Sequence, residues 1–415
     1  MSNRSNLITS PVQSAQVPQG TTVTQPVSFE DTSIAFSSQS NFKLRKTYWL
    51  FALMNQGWLV KVGTFFIKLA FKLQLPIKKL IKMTVFEQFC GGESIRDCEK
   101  TISDLHTAQV GTILDYSIEG EENEKCFDST VLEILRTIER ASESADIPFS
   151  VFKVTGLAET ELLEAVQRGD QLTEAEQAAF ERVRERVNTL CNRAHERNVR
   201  IFIDAEESWI QDTIDCLAYD MMDRYNHERC VVYNTYQMYR WEMYDQLVKA
   251  TEQAREKGYL LGAKLVRGAY LEKERIRSHE DEYQDPIQAT KEDTDRDFNR
   301  AIDFCLSNRD EVSICLGTHN EYSCQYTIAL MKRMGIAPND PHIFFAQLLG
   351  MSDNISYNLA NSGYNVAKYV PYGPVEAVMP YLFRRAEENK SIAGQSSREF
   401  TLVKSELERR KGCKN

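Results

Sequence analysis

The chain has 415 residues, 42% of them apolar and 27% charged, with a formal net charge of −10. This is the composition of a soluble globular protein with enough apolar residues for one large domain or two ordinary ones. The charge is uneven: residues 1–86 carry ten Lys/Arg against two acids, and the remainder, 40 basic against 58 acidic residues, sums to −18. An acidic body of that size argues against nucleic acid as the partner.

Residues 1–31 are rich in Ser, Thr and Gln, without the apolar core of a secretory signal, and read as a disordered tail. They lack acids up to Glu30, as organelle leaders do, but residues 1–29 carry a single arginine. Residues 32–104 form a basic, apolar, helical region; no acid occurs between residues 32 and 86. Its longest uncharged run, Thr47 to Val60, is too short to span a bilayer. Lysines interleave with Trp, Phe and Leu at helical spacing over 42–83. Such helices either pack on the protein's own body or lie in a membrane interface.

From residue 105 to 395 short β-rich runs alternate with amphipathic helices. The strand candidates are 110–116, 149–154, 199–206, 230–236, 262–270, 312–320, 342–349 and 365–373, and the clearest helices are 174–197, 236–257, 294–307 and 321–334. Strand–helix alternation implies parallel strands joined by crossovers, and eight units fit a closed (βα)8 barrel of the TIM type better than an open sheet. The fold class is therefore α/β, a barrel with an N-terminal helical extension. Residues 396–415 remain as a C-terminal helix or tail.

The strand candidates end in Asp115, Lys153, Asp204, Asn234, Arg267, Thr318, Gln347 and Tyr369. In a barrel the C-terminal strand ends converge on one mouth, so eight such residues in succession read as a lined pocket. His319 in "GTHN" is a possible general base there. The ten cysteines form no CxxC pair and no Cys/His cluster at zinc-ligand spacing, which points to reduced thiols and no metal. There is no GxGxxG, P-loop, GxSxG or HExxH motif.

Near the C-terminus "YLFRRAEEN" puts Tyr381, Arg384, Arg385 and Glu388 on one helix face at i, i+3, i+4 and i+7. A core-facing stripe would be apolar. An aromatic with two guanidiniums and a carboxylate reads either as a solvated face or as a fork of donors aimed at an anion. Pro380 lacks an amide donor, so a kink or a helix restart is expected there.

The stretches "FIDAE" (202–206), "AKLVRGAYLEKER" (263–275), "GTHN" (317–320) and "YVPYGPVEAVMPYLFRRAEEN" (369–389) resemble the proline dehydrogenase family, in the family's order, over roughly residues 110–395. The resemblance implies a distorted (βα)8 barrel holding FAD, oxidation of L-proline to Δ1-pyrroline-5-carboxylate, and a membrane quinone as electron acceptor. It implies that Arg384 and Arg385 clamp the proline carboxylate, that Tyr369 and Tyr381 wall the ring, and that Tyr270 and Leu348 close over it. Lys153 and Asp204 are the implied catalytic residues, with Asp204 neutralising the arginines. Asn234, Lys264, Arg267, Gly268, Ala269, Thr318, His319, Asn320 and Glu388 fall where the family contacts FAD. Gly268 would then allow close backbone approach to the cofactor, and Lys264 and Arg267 would offer charge to its phosphates.

A quinone acceptor gives the basic segment 42–83 a reason to touch a membrane peripherally, and removal of 1–83 is then expected to spare activity with a soluble dye. The compartment implied is bacterial cytoplasm at the inner membrane face, or alternatively the mitochondrial matrix. Hydroxyproline dehydrogenase is the nearest rival, although the retained Tyr369 favours proline. A Schiff-base aldolase using Lys153 and a non-catalytic membrane-surface barrel are the others.

Overall fold

The structure, a computed structural model, describes residues 27–73, 75–117, 123–391 and 395–412, without the side chains of residues 57, 61, 386–391 and 395–397. Eight strands, β1 (Gly111–Tyr116), β2 (Phe149–Lys153), β3 (Arg200–Asp204), β4 (Val232–Gln237), β5 (Leu261–Val266), β6 (Val312–Gly317), β7 (Ile343–Leu348) and β8 (Val366–Tyr372), pair in sequence order into a closed barrel. Every pairing is parallel, and β8 closes on β1 through Gly111↔Ala367 to Tyr116↔Tyr372. All eight strand candidates are therefore strands of one barrel.

Strand side chains alternate, and the two cores separate accordingly. Ile113, Phe149, Val151, Phe202, Tyr233, Cys315, Ala346, Ala367 and Tyr369 fill the barrel interior. Leu114, Ile201, Ile203, Val232, Leu265, Ile314 and Val366 point outward into the larger core beneath the helices. Phe149 stacks on Phe202 at 4.2 Å between centroids, and Phe202 lies 6.2 Å from Tyr369, so an aromatic layer plugs the barrel below its mouth.

In chain order the main helices are α1 (Asn41–Met54), α2 (Gly57–Lys72), α3 (Ile95–Thr107), α4 (Glu124–Ser142), α5 (Glu174–Arg197), α6 (Ser208–Tyr225), α7 (Met243–Lys257), α8 (Leu271–Glu280), α9 (Lys291–Ser307), α10 (Glu321–Met334), α11 (Asp353–Asn361), α12 (Met379–Ser391) and α13 (Gln395–Gly412). α5 starts on a complete capping box, Thr173 with Glu176, and ends at Asn198 in the left-handed region. α7 begins at Met243 rather than at the expected 236. β4 runs on to Gln237, and the next residues form a turn in which the Tyr239 amide donates to the Arg267 carbonyl at 2.7 Å. Pro380 occupies the second position of α12, where its missing amide costs nothing, so the proline marks a helix start.

Packing begins within the stretch read as tail: Val27 and Phe29 are buried in the main core, while residues 1–26 lie outside the described residues. α1 packs on α13, and Tyr48 lies 4.7 Å from the ring of Phe400. Phe51, Met54, Ile81, Phe86, Phe89 and Cys90 form one cluster with Tyr381 and Leu382 of α12. The N-terminal region thus supports the arginine helix directly. Removing 1–83 would strip that support, so the expectation that such a deletion spares soluble-dye activity does not follow from this packing. The opposite face is open: Trp49, Trp58, Phe65 and Phe66 are 66%, 65%, 63% and 59% exposed. No single helix among the described residues is long and apolar enough to cross a membrane; α1 and α2 reach that composition only as a pair bent by 94°.

Candidate functional site

The C-terminal ends of the strands gather charged groups above the aromatic plug. Strand parity decides which of them face inward. Asp115, Lys153, Asp204, Lys264 and Tyr369 share the parity of the interior residues Ile113, Val151, Phe202 and Ala367, and point into the mouth. Lys264 Nζ ion-pairs with Asp204 and donates to Tyr369 Oη at 2.5 Å, with Tyr369 Oη itself 3.4 Å from the same carboxylate oxygen. The ammonium also lies 4.5 Å from the Tyr369 ring centroid and 5.1 Å from that of Phe202. Asp204 therefore neutralises Lys264, a partner that the resemblance did not imply. Burial of Tyr369, with Asp204 beside it, holds its phenol protonated far above ordinary pH.

Lys153 is paired in register with Asp204 across β2 and β3. Its charge opposes two buried carboxyls that burial pushes upward, Asp115 and Glu206, and Glu206 is pushed up to about 7. Glu206, 3% exposed, accepts from the Thr155 amide at 3.0 Å and from the Thr155 hydroxyl. Its own carbonyl accepts from Gln237 Nε2 at 2.7 Å, and Gln237 Oε1 accepts from the Ala269 amide at 3.2 Å. The loops after β2, β3, β4 and β5 are thereby tied in a row. The last of these carries Tyr270, whose phenol is raised by burial and lowered by the nearby Lys153 and Arg384.

Arg384 therefore sits close enough to act on Tyr270. Arg385 acts likewise on His319 and stands 5.2 Å from the centroid of Tyr381. The charges of both guanidiniums of α12 are thus felt at strand-end loops of the mouth. Tyr381 is buried in the N-terminal cluster and Tyr369 in the barrel interior, and Leu348 packs against both clusters, bridging them. Glu388 lies in α12, its side chain outside the described residues.

His319 is half-buried, yet the dense protein around the ring, together with Lys368, Arg385 and Arg267, pulls it down to about 3. It is a neutral imidazole at ordinary pH, a weak base whose Nδ1 meets Ser352 Oγ at 2.9 Å. Arg267 spends its donors within the protein: on Asp295 at 2.7 Å, Thr318 Oγ1 at 2.7 Å and Ser323 Oγ at 2.9 Å. Asn320 caps α10 by accepting from the Ser323 amide. Gly268 has φ +139, and a Cβ there would meet the Tyr239 ring at 2.5 Å, so close approach of a neighbouring aromatic already requires the glycine.

Two strand-end residues face away from the mouth. Asn234 is fully buried and donates to Asp215 of α6 at 2.8 Å, on the outer face of β4, where it cannot line the cavity. Gln347 likewise turns outward, accepting from Ser356 of α11 at 2.8 Å. Sequence reasoning missed Glu206, Gln237 and the fully buried Lys368, which pairs with Asp353 at 2.9 Å behind the β7 loop. Glu206 stands next to Ala205 inside "FIDAE", but nothing local distinguishes its buried carboxyl from exposed Glu residues. Among the described residues no group of His, Cys, Asp and Glu could hold a metal ion, and the nine described cysteines are free thiols.

The family model for proline dehydrogenase matches residues 98–398. Proline dehydrogenase 1, mitochondrial, of Dictyostelium discoideum is 33% identical over 92% of this chain and 74% of its own length. The human protein of the same name is 41% identical over 58% of this chain but only 40% of its own length. Hydroxyproline dehydrogenase of Xenopus laevis is 30% identical over 80% and 78%. The structure of proline utilization A from Bdellovibrio bacteriovorus, inactivated by N-propargylglycine, superposes with a TM-score of 0.69 at 17% identity, covering 86% of this chain and 38% of that one. Since the matched segment runs through all eight strands and on into α13, this protein belongs to the proline dehydrogenase family of oxidoreductases.

Proposed function

We propose that the protein oxidises L-proline to Δ1-pyrroline-5-carboxylate with FAD in the barrel mouth and a membrane quinone as the electron acceptor. The observation that carries this reading is the closed barrel whose inward strand ends hold Lys153, Asp204, Lys264 and Tyr369, with the arginine helix α12 packed beside it through Tyr381 and Leu348. Two planar forks suit one carboxylate, and a clamp of that kind fixes the ring against Tyr369 and Tyr381. Positioning can contribute up to roughly 7–11 kcal/mol in ideal cases.

The donor set fits a flavin dinucleotide: a cationic mouth, a neutral imidazole at His319, and backbone and hydroxyl groups at Gly268, Ala269, Thr318 and Asn320. Lys264 and Arg267 would stand beside it already paired, as positioned dipoles more than free charges. FAD, when bound, supplies the hydride acceptor. The chain's own work is to hold the carboxylate, keep the ring nitrogen neutral beside Lys153, Arg384 and Arg385, and exclude water through Tyr270 and Leu348. Tyr369, held by Lys264, stands where a ring hydroxyl would need space, which favours proline over hydroxyproline.

The exposed Trp49, Trp58, Phe65 and Phe66, interleaved with lysines, suit peripheral contact with an anionic membrane, and the mitochondrial names of relatives favour the mitochondrion over bacterial cytoplasm as the compartment. One spectrum tests the core reading: the purified protein should show bound flavin, and anaerobic proline should bleach it. A preparation that cannot be loaded with flavin would overturn the proposal. Substituting Trp58→Ser, Phe65→Ser and Phe66→Ser together should abolish sedimentation with anionic vesicles while leaving dye-coupled activity intact. Retained sedimentation would remove the membrane element.

A further inference from the structure

Between β5 and β6 the chain makes one helix more than the barrel needs. The crossover is covered by α9, which buries Phe298, Ala301, Ile302, Cys305 and Leu306 and packs on both strands. α8 comes before it and buries only Glu274 and Ser278 of its ten residues, while seven of the ten are exposed. A surface helix is ordinarily held by an apolar face, and α8 has no apolar residue buried. Polar contacts hold it instead. Glu274, with no exposed surface, accepts from the Ser208 amide at 2.7 Å through Oε1 and from the Ser208 hydroxyl at 2.5 Å through Oε2. Lys273 pairs with Glu207 at 2.6 Å, and Arg277 donates to Glu164 at 3.1 Å and lies 4.4 Å from the Trp209 ring centroid.

Both ends of this excursion return to one place. Ahead of α8 the Ala269 amide donates to Gln237 Oε1 at 3.2 Å. Behind it the Gln288 amide donates to the Tyr239 carbonyl at 2.7 Å, and the Trp241 amide donates to the Pro286 carbonyl at 3.1 Å. Residues 270–285 thus leave the turn after β4 and come back to it, with the neighbouring ends of an Ω-loop. Of the contacts in between, the Lys273 pair has a lysine side chain 63% exposed, so water competes for it. Glu274 is different, because it also completes another helix. Ser208 opens α6, and the N-cap residue of α6, Glu207, makes no side-chain cap. The carboxylate of one helix therefore satisfies an orphan amide of the next, at the end where the helix dipole favours negative charge. The Glu274 amide in turn donates to the Tyr270 carbonyl at 2.9 Å, so the turn that Glu274 anchors is the one that begins at Tyr270.

We propose that residues 270–285 form a lid at the barrel mouth, tethered at both ends to the turn after β4, and that Glu274 is the latch that holds the lid, and Tyr270 with it, in the closed position. A helix that buries no apolar residue belongs to the low-stability end of a structure, from which moving lids are drawn. Releasing the latch exchanges hydrogen bonds to Ser208 for hydrogen bonds to water and uncovers no apolar face of α8 itself. With both oxygens on Ser208, Glu274 acts through the helix turn that it anchors, and is a positioning residue. The proposal rests on the reading that proline binds in the mouth under Tyr270, and it names the element that opens to admit it.

The test joins amide hydrogen exchange of the full chain, read by mass spectrometry, to proline kinetics with a soluble dye. In Glu274→Ala, peptides from 270–280 should exchange at least roughly ten-fold faster than in wild type, while peptides from β5 and α9 keep their rates. Glu274→Gln keeps an acceptor for the Ser208 amide and a donor for its hydroxyl, and should return the exchange towards wild type. KM for proline should rise roughly ten-fold in Glu274→Ala, but by less than about two-fold when the same change is made in a Tyr270→Ala background, because the latch works through Tyr270. A purely structural Glu274 would raise KM equally in both backgrounds. That additivity, or exchange of 270–280 that is the same in Glu274→Ala and wild type, would overturn the proposal. Ser208→Ala removes one of the two latch bonds and leaves the amide in place, so it reports the same changes at smaller size if Glu274→Ala fails to fold. Exchange is read without turnover, so a failure of the latch is separable from a failure of proline oxidation.

Discussion

The ion pair beneath the mouth offers a quantitative check. Lys264 and Asp204 have side chains only 6% and 15% exposed, and the hydroxyl of Tyr369 completes the triangle. Replacing Asp204 by Asn keeps the shape but leaves an ammonium buried without its counter-charge. Breaking a buried pair from one side costs about 3–5 kcal/mol. The rings of Tyr369 and Phe202, at 4.5 and 5.1 Å, hold the ammonium in both forms and cancel in the difference, so a loss of about 3–5 kcal/mol is expected for Asp204→Asn. Lys264→Met should lose a similar amount by stranding the carboxylate. The double variant removes both charges and should lose less than the two singles together by at least about 1.5 kcal/mol. Urea denaturation followed by circular dichroism measures each midpoint, and an unchanged slope certifies that stability alone has moved. If the three losses add to within about 0.5 kcal/mol, the two groups are not coupled in the folded protein, and the floor of the site is not built as described.

Further outcomes follow from the same geometry. Arg384→Lys and Arg385→Lys should each raise KM for proline by roughly 10- to 100-fold, since a point charge replaces a planar fork, with thermal stability unchanged; an unaltered KM would remove that arginine from the clamp. Gly350→Ala should destabilise the β7 loop strongly, because φ is +76 and the new Cβ would collide with the Gln88 carbonyl; a melting temperature equal to wild type would refute the packing of the N-terminal region on that loop. Glu206 titrates from its ordinary 4.5 up to about 7 on folding, so between those values the native state binds the extra proton and stability falls as pH rises, by at most about 1.4 kcal/mol per unit. Glu206→Gln should therefore gain on wild type across that window, by up to about 3 kcal/mol, and then hold level above it. A stability difference that is the same at both ends of the window would show that the carboxyl is not buried in this way.

The eight strands were legible because each is a short β-branched and aromatic run between helical segments, and parallel strands buried on both faces must be continuously apolar. The arginine helix was legible for the opposite reason, that its stripe is polar where an apolar one would be needed for packing. What the strand runs do not display is which way each polar end residue faces. The boundary of a strand can be misjudged by a residue or two, and a one-residue error reverses every side chain. Asn234 shows the consequence. Read as the end of its run, it belongs to a row of mouth residues. Once β4 is seen to continue to Gln237, its parity is that of Val232 and Tyr236, and its partner is Asp215 on α6. Gln237, three residues on, takes the inward place and ties Glu206 to Ala269. The pairing of Lys264 with Asp204, 60 residues apart, depends on closure of the barrel and is invisible to any local spacing. The same holds for Ser352, whose backbone amide donates to Glu399 of α13 while its hydroxyl meets His319 Nδ1. The chemistry of the site is therefore inherited from packing outside the barrel as well as from the strand ends.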